Sequence, residues 1–188
     1  PHIMSDFYRN TPEIIQKKLK DLQEFLESKT FYFPVEAAAE YYVDEAFLEM
    51  LRNKRQILSF GKEKYILFET GFMNPPPFIE EAVFLMQTEG YKPIFAHPER
   101  YIYLYDNFGM LERMIEMGVN LQINLLSLTG YYSRDAKKMA EKLIDANLVH
   151  FAASDCHSLK HFEALKESTK TTYYKKLIQK DLLNNTLM

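Results

Sequence analysis

The chain has 188 residues, 47% of them hydrophobic and 26% charged with both signs mixed along its length. That balance supports one domain, residues 1–188, with a sizeable core, and excludes general disorder. A formal net charge of −3 argues against a nucleic-acid binder, the single cysteine (Cys156) excludes an intrachain disulfide framework and fits a cytoplasmic location, and no apolar run reaches membrane-spanning length.

In chain order, Thr11-Pro12-Glu13 reads as an N-cap, a first-turn proline and an early acid. Behind it Ile15, Leu19, Leu22 and Leu26 recur at helical spacing. Phe31 to Val35 is aromatic and predicts a strand. Asp44 is placed to cap a short helix through Met50, and Lys64 to Phe68 predicts a buried strand. Pro75-Pro76-Pro77 predicts a helix start, with the helix ending at Gly90. Pro93 to Ala96 predicts a strand, followed by a helix around Leu111, Met114 and Ile115 that stops at Gly118. Val119 to Ile123 alternates as a strand. Ala136, Met139, Ala140, Leu143 and Ile144 mark a helix ending at Asn147, Val149 to Ala153 predicts a strand, and Thr172 to Leu187 a terminal helix. Alternating strands and helices with short connections predict an α/β fold with a mostly parallel sheet, whose chemistry lies at the C-terminal ends of strands.

Carboxylates and imidazoles sit at such places. Glu40 follows Val35 to Ala39, Glu69 ends Tyr65 to Phe68, His97 ends Ile94 to Ala96, Asp155 and His157 follow Phe151 to Ala153, and His2 stands near the start. These are ligands for hard or borderline divalent metals. In an extended segment Asp155 and His157 would share one face, with Cys156 packed on the other. Each residue also has a plainer reading: a solvated glutamate, a His97-Pro98 turn, or helix caps at Ser154, Asp155 and Ser158. His150 reads as structural, and His161 is placed to face the site or not. Tyr101, Tyr103 and Tyr105 alternate, either as a stacking wall for a ring or as ordinary inward packing. No arginine closes a short phosphate loop after Cys156, which excludes a cysteine phosphatase, and no glycine-rich nucleotide-binding loop occurs.

Pro1-His2, Ala39 to Tyr42, Phe68-Glu69, Ala96 to Tyr101, Ser127 to Gly130 and Ala153 to His157, in this order, resemble the PHP (polymerase and histidinol phosphatase) metal-dependent phosphoesterases, closest to the protein-tyrosine phosphatases of bacterial capsule and exopolysaccharide systems. The resemblance implies a distorted (β/α)7-type, TIM-like barrel and about two to three divalent ions, manganese foremost with iron or zinc as alternatives. It implies His2, Glu40, Glu69, His97, Asp155 and His157 as metal ligands. Arg100, Asp155 and His157 become the catalytic residues, and Arg100, Ser127, Thr129 and Lys160 the substrate contacts, Lys160 standing in for a second arginine. The implied partner is a tyrosine-phosphorylated protein, a bacterial tyrosine autokinase foremost. Related PHP enzymes act on small molecules such as histidinol phosphate, and a non-catalytic metal- or partner-binding module is a further alternative. The family's first strand, bearing His-x-His, has no counterpart before His2. An incomplete barrel would expose apolar surface and a strand edge, so self-association into a homo-oligomer is expected.

Overall fold

The computed structural model describes residues 1–187. The chain divides into two compact units, one of residues 1–70 and 76–93, the other of residues 71–75 and 94 onward.

In the first unit β1 (His2–Ile3), β2 (Glu40–Tyr42) and β3 (Tyr65–Glu69) run parallel, His2 opposite Glu40 and Tyr42 opposite Glu69. Parallel neighbours need a crossover connection. α1 (Pro12–Ser28) supplies one and α2 (Glu45–Arg52) the next. The caps are those the sequence indicates: Thr11 accepts from Ile14 N and Asp44 from Phe47 N. α3 (Ile79–Thr88) begins beyond the prolines, not at them. Each proline biases the residue before it away from helical geometry, so three in a row delay the start. Phe31 to Val35 is not a strand. Phe31, Tyr32 and Phe33 are 57%, 82% and 65% exposed, so β-propensity there finds no neighbouring strand to pair with and no core to enter. The core is built instead on Tyr41, Phe47, Ile66, Phe68 and Met86. Tyr41 stacks on Phe47 at 4.8 Å and accepts from Leu58 N at 2.8 Å.

The second unit takes up β4 (Lys92–Ala96) from Ile94 onward, with β5 (Asn120–Asn124) and β6 (Phe151–Ala153) parallel to it in that order. α4 (Phe108–Glu116) and α5 (Arg134–Asp145) connect these strands. Gly118 after α4 and Asn147 after α5 both take positive φ, 84° and 60°, the left-handed backbone of helix C-termini. Phe95 and Tyr101, both fully buried, stack at 4.7 Å. α6 (Leu159–Ser168) follows β6, capped by Ser158. The tail is not one helix: α7 (Thr172–Leu177) stops and a separate 3-10 turn spans Leu183–Thr186. Asn184 there bonds both N and O of Ala152, so the tail completes the hydrogen bonding of β6.

Candidate metal centre and anion site

The first unit brings together three of the six expected metal ligands. His2 and Glu40 share one level of the sheet, and Glu69 closes β3. Glu40 opens its strand rather than following one, because the run from Val35 to Ala39 is not paired. His2 Nε2 lies 3.4 Å from Glu40 Oε2 and 3.5 Å from Glu69 Oε1. The side chains are 21%, 12% and 11% exposed. One donor atom from each lies within 4.8 Å of the others. An imidazole and two carboxylates converging at this spacing match a hard or borderline divalent cation in donor type. The imidazole is further fixed by a stack on Tyr8 at 5.1 Å, and Asn10 Nδ2 donates to His2 O at 2.8 Å. Nothing in the sequence marks Tyr8, since a tight turn pairing Met4 with Tyr8 folds it back onto the ring.

The second unit gathers Arg100, Asp155 and His157. Arg100 Nη1 lies 3.4 Å from Asp155 Oδ2, and its guanidinium stands 4.8 Å from the Phe72 ring and 4.2 Å from the Tyr132 ring. Aromatic faces attract a cation and hold its plane, while leaving edge N–H groups for an anion. The segment after β6 is not extended: Asp155 has φ 48°, in the left-handed region that aspartate tolerates better than most residues. Asp155 and His157 still meet, Oδ1 to Nδ1 at 3.2 Å, through a turn rather than through strand periodicity. Cys156 is exposed, not packed as the alternation predicts. His161 joins this corner, its Nδ1 accepting from His157 N at 3.3 Å. Ser158 is the residue that caps the following helix.

His97 directly follows β4, is 3% exposed and has φ 36°. Left-handed backbone at a non-glycine residue costs free energy and collects at functional sites. It starts the 3-10 turn Pro98–Arg100, which sets Arg100. Ser127 is fully buried, its hydroxyl donating to Glu99 Oε1 at 2.6 Å. Thr129 Oγ1 donates to Leu126 O, and Lys160 lies over the Tyr131 ring. Tyr101, Tyr103 and Tyr105 do not alternate along a strand. Tyr101 stacks inward on Phe95 and Phe72, and Ile102–Leu104 is a 3-10 turn. His150 is structural: its Nδ1 accepts from Leu121 N, and burial holds its pKa below the ordinary histidine value.

Three residues of this region carry no obvious signal in the sequence. Glu99 is wholly buried, accepts from Asn124 N at 3.0 Å as well as from Ser127, and burial raises its pKa above the carboxylate range. Asn124 Nδ2 donates to Asp155 Oδ2 at 2.9 Å and to Tyr132 OH at 2.8 Å. Burial first, then the charge of Asp155, pushes the Tyr132 phenol up to about 12, so it stays neutral and able to donate to Asp155.

A family model described as capsular polysaccharide synthesis, CpsB/CapC, matches residues 1–187. The chain is 33% identical over 160 residues to the tyrosine-protein phosphatase YwqE of Bacillus subtilis, covering 85% of this chain and 63% of that protein. It is 33% identical over 159 residues to CapC of Staphylococcus aureus, covering 85% of this chain and 62% of that protein. It therefore spans a little under two thirds of the length of these two relatives. One of the crystal structures of YwqE from Bacillus subtilis and CpsB from Streptococcus pneumoniae, described as unique metal-dependent tyrosine phosphatases, superposes with a TM-score of 0.79 at 29% identity, covering 95% of this chain and 75% of that one.

Proposed function

The chain belongs to the capsular polysaccharide synthesis CpsB/CapC family, and from that membership we propose that it is the greater part of a metal-dependent phosphomonoester hydrolase that removes phosphate from tyrosine in proteins, in the service of capsule or exopolysaccharide synthesis. The observation that carries the reading is the convergence of His2, Glu40 and Glu69 on one point. These residues would hold a divalent ion, manganese in our proposal, which would supply electrophilic stabilisation of the phosphoryl group and a water of lowered pKa.

The chain's own residues supply the rest. His2, Glu40 and Glu69 offer three donors, and His97, Asp155 and His157 are proposed as further metal ligands. Arg100 presents N–H groups in a fixed plane to phosphoryl oxygens and balances their charge. Its pairing with Asp155 and the rings of Phe72 and Tyr132 restrict the guanidinium before substrate arrives, so less freedom is lost on binding. A phenolate leaves more readily than an alkoxide, which lightens the demand on a proton donor; in this reading Asp155 serves in its ionised form, fixing Arg100. Ser127 acts from behind through Glu99, while Thr129 and Lys160 remain candidate substrate contacts. The complete (β/α)7-type barrel, a tyrosine autokinase as the phosphorylated partner, a cytoplasmic setting and self-association belong to the same proposal. No helix among the described residues is long and apolar enough to cross a membrane.

The test is hydrolysis of a phosphotyrosyl peptide with manganese and then with excess chelator. Turnover that needs metal and stops with chelator is the expected result. Hydrolysis of small alkyl phosphates in preference to the peptide would replace the protein substrate with a small-molecule one, as the related PHP enzymes suggest.

A further inference from the structure

We propose that Asn124, anchored from behind by Glu99, is a positioning residue that sets both Asp155 and Arg100. This deepens the phosphatase reading and rests on it for the purpose served, though not for the geometry.

Asn124 closes β5, where the strand turns into the 3-10 segment Leu125–Thr129. Three bonds fix that corner. Glu99 Oε1 accepts from Asn124 N at 3.0 Å and from Ser127 Oγ at 2.6 Å, gripping both the backbone and the following turn. Asn124 Oδ1 accepts from Leu126 N at 3.0 Å. The carbonyl side of the amide is thereby committed, and the NH2 side can point only forward. There it donates to Asp155 Oδ2 at 2.9 Å and to Tyr132 OH at 2.8 Å. Asn124 and Glu99 are 0% exposed, so neither competes with solvent for these partners. Buried polar groups arranged in this way hold a single geometry, because any rotation leaves donors unmade.

The consequence falls on Asp155. Its Oδ2 faces Asn124 Nδ2, Arg100 Nη1 at 3.4 Å and Tyr132 OH at 3.4 Å, while its Oδ1 faces His157 at 3.2 Å. The two oxygens therefore have different duties: Oδ2 ties the arginine, and Oδ1 is the one turned to the imidazole and able to accept a cation. Asp155 also holds a left-handed backbone, which is maintained only where its surroundings specify it. Tyr132, fixed by the same amide, supplies the ring under Arg100. One neutral side chain thus links an arginine, a carboxylate and an aromatic platform. Outer partners of this kind orient ligands, and their loss commonly reduces affinity or activity about 10–100-fold.

The discriminating variant is Asn124→Asp in the full chain. It keeps the volume and the acceptor for Leu126 N but replaces the forward donor with a carboxylate oxygen facing Asp155. Tyr132→Phe is the milder companion, keeping the ring and losing the hydroxyl. The direct readout is the Arg100 guanidinium Nε–Hε resonance, observed without substrate and assigned by its loss in Arg100→Ala. It should be dispersed and slow to exchange in the unaltered chain, and collapse to the solvent-exposed position in Asn124→Asp. The second readout is steady-state hydrolysis of p-nitrophenyl phosphate with manganese, where Asn124→Asp should raise KM about tenfold or more and Tyr132→Phe by less. An unchanged Arg100 resonance in both variants overturns the positioning role, whatever the activity. A collapsed resonance in a chain that never hydrolyses the aryl phosphate upholds the positioning role and overturns the phosphatase reading instead.

Discussion

The two units treat charge in opposite ways. In the first, His2, Glu40 and Glu69 bring an imidazole and two carboxylates together within 4.8 Å, the donor types of a divalent-metal site. In the second, Asp155 Oδ2 meets Arg100, Asn124 and Tyr132, while its Oδ1 faces His157. Converging metal-ligand types mark a candidate cation site, whereas a carboxylate tied to an arginine, an amide and a phenol marks a site that fixes a geometry for an anion to meet. Metal chemistry should therefore fail first when the first set is altered, and anion recognition when the second is.

The largest effect is expected from Glu69→Ala. Removing one of the three converging donors should weaken manganese binding by about 100-fold or more, read by calorimetry, and abolish metal-dependent turnover. Arg100→Ala should separate the two units: turnover falls by about 100-fold while manganese affinity stays within about twofold. Equal losses of metal affinity in both variants would erase the contrast.

A smaller effect concerns pH. His150 accepts from Leu121 N as a neutral ring, and burial depresses its pKa. The unfolded chain takes up that proton more readily, so the contribution is present above the ordinary histidine value near 6.5 and is lost as pH falls through the depressed one. Melting temperature should drop between pH 7.5 and 5.5, and His150→Asn should flatten part of that slope. Parallel slopes would remove His150 from the account. Least of all, Ser133→Ala deletes the N-cap of α5 and should cost about 1 kcal/mol in denaturant unfolding, with neither metal affinity nor turnover altered.

The sequence was most informative where local chemistry decides the structure. Thr11 and Asp44 cap as expected, and Gly118 and Asn147 end helices by taking positive φ. Glu69 and His97 stood out because apolar strands run up to them, whereas His2, with no such strand before it, was picked out through the family resemblance. Glu40 reaches the cluster although the strand expected before it is absent: its own strand starts at Glu40, and the run from Val35 to Ala39 is not part of it. Strands of two or three residues such as β1 and β2 offer too little periodicity to be read. Asp155 and His157 meet as the spacing suggested but not on an extended backbone, because a left-handed aspartate leaves no trace in spacing. Glu99, Asn124 and Tyr132 stayed hidden for another reason: their roles arise from bonds between elements 8 to 31 residues apart. The exposed aromatics Phe31 to Phe33 show the converse, a strong local preference for strand with no partner to realise it.

The central claim is that bound metal at His2, Glu40 and Glu69 underlies phosphotyrosine hydrolysis. Its most direct test is a manganese titration of the metal-stripped chain, following bound ion by electron paramagnetic resonance and phosphotyrosyl-peptide turnover in the same samples, for the unaltered chain and for Glu40→Gln. Turnover that rises in step with bound manganese, with both lost in Glu40→Gln, is the predicted result. Turnover that persists in the stripped chain, or manganese bound as tightly by Glu40→Gln as by the unaltered chain, would contradict it.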